Sequence, residues 1–100
     1  MKIDAIMINH IDNVATALRD IKAGEQVRVG MDEKQIQVLA QEFVSYGHKF
    51  AVKSISKGED ILKYGEIIGR ATQDIASGTH AHIHNIESLR GRGDLEGGGN

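Results

Sequence analysis

Ile21-Lys22-Ala23-Gly24-Glu25-Gln26-Val27 recurs as Ile55-Ser56-Lys57-Gly58-Glu59-Asp60-Ile61 and again as Ile75-Ala76-Ser77-Gly78-Thr79-His80-Ala81. Each copy is an apolar anchor, two polar or small residues, a glycine, two polar residues and then a small or apolar residue. Glycine takes a positive φ without steric cost, so the pattern reads as a tight turn entered and left by core-facing side chains. The copies are unevenly spaced, which excludes a solenoid. The reading is one turn device reused in a compact, irregular β-fold.

The segments between the turns agree. Ile3–Ile8, Gln26–Val29, Ile36–Leu39, Phe43–Tyr46, Lys49–Val52 and Glu66–Ala71 are short apolar or alternating stretches that read as strands. Gly69, inside the last of them, signals a bulge or a close backbone approach. One stretch departs from the pattern. Val14, Ala17, Leu18 and Ile21 recur at helical spacing, Asp12 or Asn13 is placed to cap them, and Gly24 follows, so a short helix is expected over Val14–Ile21. The fold class is therefore mainly β with one or two short helices.

One hundred residues make one small domain. Aromatics are 4% of the chain, so the core must be built from aliphatic side chains and is thin. A formal net charge of −2 gives no electrostatic grip on nucleic acid or on an anionic membrane. The absence of cysteine excludes disulfides and thiolate metal sites, leaving His, Asp, Glu or water as metal ligands. The N-terminus is too short and too charged for a signal peptide, and no apolar run approaches the ~18 residues of a membrane span, so a cytoplasmic location is expected. Residues 1–88 are read as the folded domain. The glycine- and arginine-rich residues 89–100 are read as a flexible tail that orders on a partner surface.

Three of the five histidines fall in Ser77–Asn85. In an extended strand His80, His82 and His84 share one face, with neighbours about 6.5–7 Å apart at Cα. Two such rings can converge on one ion or anionic ligand, whereas three need a bend. Further polar residues gather at chain breaks, in Asn9–Asn13 and in Gly47-His48-Lys49. Lysine there can hold a substrate carboxylate, or act as a base if burial lowers its pKa. The chain has no His-Glu-x-x-His zinc signature, no glycine-rich phosphate loop and no nucleophile elbow.

Asp12-Asn13-Val14-Ala15-Thr16-Ala17-Leu18, Gly47-His48-Lys49-Phe50-Ala51, Lys63-Tyr64-Gly65-Glu66-Ile67-Ile68-Gly69 and Gly78-Thr79-His80-Ala81-His82-Ile83-His84-Asn85 occur together and in this order. In that combination the chain resembles the N-terminal module of the altronate/galactarate dehydratase family, a SAF domain of β-clip fold. The resemblance implies the small subunit of a hydro-lyase that removes water from an aldonate or aldarate to give a 2-keto-3-deoxy acid. It implies a sugar-acid substrate, a large catalytic subunit as partner, and a divalent metal, Fe2+ or Mn2+. Carried over by position, His48, Lys49, His82 and His84 are the expected catalytic residues. Asp12, Asn13 and Asn85 are expected to bind substrate, and His80, His82 and His84 to hold the metal. Two other readings stay open: a non-catalytic substrate-binding or assembly module, and the small subunit of a sulfolactate sulfo-lyase. The isolated chain is also a candidate homo-oligomer.

Overall fold

The computed structural model describes residues 2–88, which form nine strands in two sheets. The expected tail at 89–100 lies outside the described residues. The strands are β1 (Ala5–Ile6), β2 (Val14–Ala17), β3 (Gln26–Met31), β4 (Lys34–Leu39), β5 (Lys49–Ala51), β6 (Asp60–Lys63), β7 (Glu66–Ala71), β8 (His80–Ala81) and β9 (Ile86–Ser88). The larger sheet has the order β4-β3-β1-β2-β5-β8 and the smaller one β6-β7-β9. β1 pairs with β3 in parallel, and every other named ladder is antiparallel.

The turn device is present four times rather than three, because Val44-Ser45-Tyr46-Gly47-His48-Lys49-Phe50 is a further copy. Gly24, Gly47, Gly58 and Gly78 all have φ between +85° and +90°. In each copy the residue after the glycine donates its N–H to the carbonyl three positions back: Glu25 to Lys22, His48 to Ser45, Glu59 to Ser56, Thr79 to Ala76. A positive φ at the third position with that bond is the type II turn.

The copies work in pairs. Gly24 N–H donates to the Ala40 carbonyl, and Gly47 N–H donates to that of Ala17. Gly58 donates to Ala71, and Gly78 to Ala51. Each of these four alanines lies four residues before an anchor, so each copy hands its alanine to the glycine of its partner copy. The leading anchors complete the exchange through the isolated bridges Ile21↔Val44 and Ile55↔Ile75. Asp20 and Asp74 repeat the symmetry, accepting the backbone N–H of Tyr46 and of Lys57. All the anchors are buried, and burial of each Ile or Val contributes about 1.5–3 kcal/mol.

Val14–Ala17 is a strand, not the expected helix, and no helix occurs among the described residues. β2 lies inside the larger sheet between β1 and β5. Its side chains reach two different cores: Ala15 and Ala17 join one with Phe50 and Val29, whereas Val14 joins the other with Ala51 and Ile61. A strand covered on both faces shows an unbroken apolar run instead of alternation, and here that run imitates helical spacing. Leu18, the third member of the supposed helical face, is 43% exposed. Phe43–Tyr46 contributes only the bridge at Val44. Gly69 combines both of its expected roles. The β6–β7 register shifts at Ile61/Leu62, and a Cβ on Gly69 would overlap the Glu87 carbonyl oxygen of β9.

Candidate active site

The second and fourth turns build the site. β5 leaves the turn at Gly47 and β8 leaves the turn at Gly78, and the two strands pair antiparallel with Phe50 opposite His80 and Lys49 opposite Ala81. This brings residues following both glycines together. His48 Nδ1 lies 3.0 Å from His80 Nε2. The His82 ring centroid is 4.4 Å from that of His48 and 5.3 Å from that of His80.

The straight imidazole row does not extend past Ala81. Asn85 bends the chain: its Oδ1 accepts the His82 N–H at 2.8 Å, its Nδ2 donates to the His80 carbonyl at 2.9 Å, and its own N–H donates to the His82 carbonyl at 3.1 Å. The bend swings His82 towards His48. One nitrogen from each of His48, His80 and His82 then lies within 4.8 Å of the others. His84 stands outside this trio, exposed, with its ring 5.3 Å from that of His80.

Burial, and then the charge of His48 and the other neighbouring imidazoles, holds His80 below the usual imidazole range, with Glu42 pulling the other way. Burial likewise lowers His82, helped by His48, Lys49 and His84. Both rings are therefore neutral near pH 7, the form that accepts a proton or ligates a metal. Burial and the charge of Lys63 lower Lys49. His82 Nδ1 is buried without a hydrogen-bond partner. A shallow cavity of about 130 Å³, lined by Lys49, Ile68, His82, Ile83, Ile86 and Ser88, opens beside it. Larger hollows of about 490 and 530 Å³ lie beside Asn13 and Asp60 and beside the β3–β4 turn, away from the imidazole trio.

These residues fit a divalent metal of borderline character. The donor set is three imidazoles, two of them held neutral, and one of the rings, His82, carries a buried nitrogen without a partner. Two nitrogens at about 2.1 Å from one ion and at right angles are about 3.0 Å apart, which matches the His48–His80 separation.

The residues expected to bind substrate are engaged by backbone. Asp12 is 1% exposed, and its carboxylate accepts N–H groups of Ile8, Asn9 and Gly65. Burial alone would raise its pKa, but these bonds and one from Tyr64 hold it below the usual carboxylate range. Asn13 Oδ1 accepts from Leu62 N–H, and its Nδ2 donates to the Asp60 carbonyl. Both tie the 8–13 loop to the β6–β7 hairpin, and neither lines the cavity beside His82. Two polar groups near Lys49 escaped the sequence reading. Thr16, its cross-strand partner, has a buried hydroxyl without a partner. Lys63 sits two residues after the buried Ile61, and the Ile-x-Lys alternation was the available signal.

Comparison with known proteins supplies the family. Residues 3–89 match the family model described as the altronate/galactarate dehydratase SAF domain. The chain is 48% identical over 83 residues to an altronate dehydratase of Escherichia coli and 40% identical over 83 residues to one of Bacillus subtilis. These alignments take in 83% of this chain but only 16% of each relative, so the chain spans about one-sixth of their length. It is also 29% identical over 93 residues to the (2R)-sulfolactate sulfo-lyase subunit alpha of Chromohalobacter salexigens, covering 90% of this chain and 99% of that one. With most of its length matched by the family model, and with the all-strand fold described above, the chain belongs to the altronate/galactarate dehydratase SAF domain family.

Proposed function

We propose that this SAF domain is the small subunit of a sugar-acid dehydratase, and that it lends its imidazoles and Lys49 to a site completed by a larger chain. The observation that carries the reading is the convergence of His48, His80 and His82 beside Lys49 at an open cavity. Enclosing ligand pockets run to about 300–1,000 Å³, so a cavity of about 130 Å³ holds only part of a six-carbon acid. The remaining walls belong to another chain, in keeping with the small share of the altronate dehydratases that this chain spans.

The reaction takes the proton from C2, next to the carboxylate, and expels the C3 hydroxyl as water. The resulting enol tautomerises to the 2-keto-3-deoxy acid. Lys49 fixes the carboxylate through its ammonium, a charge-assisted contact. His48, His80 and His82 would hold a divalent ion, Fe2+ or Mn2+, which when bound supplies Lewis-acid stabilisation of the carboxylate and hydroxyl oxygens. His84, at the rim beside His80, is placed to pass a proton between the site and solvent. Asn85 keeps His82 in position by its grip on the 82–85 turn.

The test is a purified complex with the cognate large chain in which His48→Ala and His82→Ala are combined. The maximal rate should fall at least ~100-fold while gel filtration shows an intact complex. An unchanged rate with a raised KM would leave only the binding-module reading. The near-complete coverage of the sulfo-lyase subunit alpha supports a second substrate class. Sulfite release from sulfolactate, measured beside keto-acid formation from altronate and galactarate, decides between them.

A further inference from the structure

We propose that the 82–85 turn, with the apolar wall formed by Ile68, Ile83 and Ile86, is the seat of the larger chain, whose apolar side chains close over the cavity beside His82. This deepens the reading above by naming where that chain docks, and it rests on that reading for the existence of the chain.

Ile83 is 84% exposed, the largest exposure of any large apolar side chain among the described residues. The turn that carries it is not a loose loop. Buried Asn85 closes it through its side chain and its own N–H, and Gln73 Nε2 donates to the His84 carbonyl at 3.2 Å. An aliphatic side chain held out in water on a fixed turn does nothing for the isolated fold. The turn's conformation is already set, so little ordering entropy is left to lose on docking, which suits an interface anchor.

A bulge brings Ile68 to the same place. Between the pairs Ile61↔Gly69 and Leu62↔Ile67, β6 advances by one residue and β7 by two, so Ile68 is the inserted residue. A bulge re-aims a side chain out of the regular alternation. Ile68 and Ile86 pack against the second core. Together with Ile83 they line the cavity of about 130 Å³ that also holds Lys49, His82 and Ser88.

The chemistry of this wall favours protein over substrate. A sugar acid carries hydroxyls along its carbon chain, and a hydroxyl set against aliphatic side chains loses its water without gaining a hydrogen bond. Three isoleucines are matched instead by apolar side chains. Chain continuity names which protein supplies them. In the altronate dehydratases the region matching this domain is 16% of one longer chain, so the remainder is joined to the domain through its first or its last residue. Ser88, the last described residue, is part of the cavity wall, so a chain continuing from it starts at this face.

The experiment measures association of the full chain with the separately purified cognate large chain by titration calorimetry. Ile83→Ser should keep the circular dichroism and unfolding midpoint of the isolated chain, because the side chain is exposed, and should raise Kd about tenfold or more. Ile36→Ser, on β4 at the opposite edge of the larger sheet from β8, should leave Kd within about twofold. With enough large chain to saturate the Ile83→Ser variant, kcat and KM for the sugar acid should return to within about twofold of the unsubstituted complex. An unchanged Kd for Ile83→Ser overturns the proposal. An unchanged Kd with a raised KM would further assign the wall to substrate. Self-association of the isolated chain that Ile83→Ser abolishes, with Kd for the large chain unmoved, would assign it to a second copy and equally overturn the proposal. Failure of the dehydratase reading is a separate result, a full rate from the His48→Ala/His82→Ala complex, and it leaves the effect of Ile83→Ser on Kd intact.

Discussion

Two of the four turn glycines offer a matched comparison. Gly24 and Gly78 have nearly the same φ, +90° and +86°, in the same turn type. A Cβ on Gly24 would meet nothing within 4 Å, whereas one on Gly78 would overlap the carbonyl oxygen of Leu39. Gly24→Ala therefore carries only the cost of a left-handed alanine, about 1–2 kcal/mol. Gly78→Ala carries that cost and must also displace the 39–41 segment, which is held by the bond from Gln41 N–H to the Gly78 carbonyl at 2.8 Å. Overpacking adds about 1–3 kcal/mol and the broken hydrogen bond about 1 kcal/mol more, for a total of about 3–6 kcal/mol. A chain of this size has about 5–15 kcal/mol of stability in all. Urea unfolding followed by far-UV circular dichroism should show the Gly24→Ala midpoint lowered by about 1 M, with Gly78→Ala largely unfolded or far lower. Equal midpoints would refute the claim that the Gly78–Leu39 approach, rather than backbone conformation alone, sets the requirement for glycine there.

Asp12→Asn should destabilise by about 2–4 kcal/mol, because it turns a carboxylate accepting several backbone N–H groups into an amide with one acceptor oxygen. The folded state holds the Asp12 carboxyl below its ordinary range, so its contribution is present at neutral pH and disappears as the pH falls below that range. The variant should accordingly show a shallower loss of stability on acidification, and superimposable acid limbs would count against it. Asn85→Ala removes both side-chain bonds that bend the 82–85 turn, at about 1–3 kcal/mol. In the complex it should lower kcat by more than tenfold while the domain stays folded at 25 °C, and an unaltered kcat would show that the bend is not needed for chemistry.

The fold was legible where backbone geometry demands one residue type. Positive φ at Gly24, Gly58 and Gly78 left a mark that could be matched by eye. The copy at Val44–Phe50 reads as separate strands, because its bulky Tyr46 and Phe50 hide the same glycine spacing. The alanines at 17, 40, 51 and 71 were equally visible, but their meaning lies in which glycine each one meets, a long-range fact that no local pattern carries. Val14–Ala17 misled for a related reason: burial on both faces erased the alternation that identifies a strand. At the site, His48 and His80 are 32 residues apart and meet through the β5–β8 register. The row of 80, 82 and 84 gave the right neighbourhood. The bend that exchanges His84 for His48 in the trio depends on the Asn85 side chain closing on the backbone, which periodicity does not record.

The paired exchange of alanines divides the chain without a linker. Residues 17–50 hold both partners of the first exchange, and residues 51–81 hold both partners of the second. His48 and Lys49 belong to the former and His80 to the latter, with His82 directly after it. The imidazoles therefore face one another across the boundary between the two turn pairs, joined there by the β5–β8 ladder, and opening of that ladder would dismantle the site while each turn pair keeps its own bridge. A ligand touching His48 and His82 together is a clasp on that boundary. It binds only the closed arrangement, so by mass action its concentration sets how often the two turn pairs part.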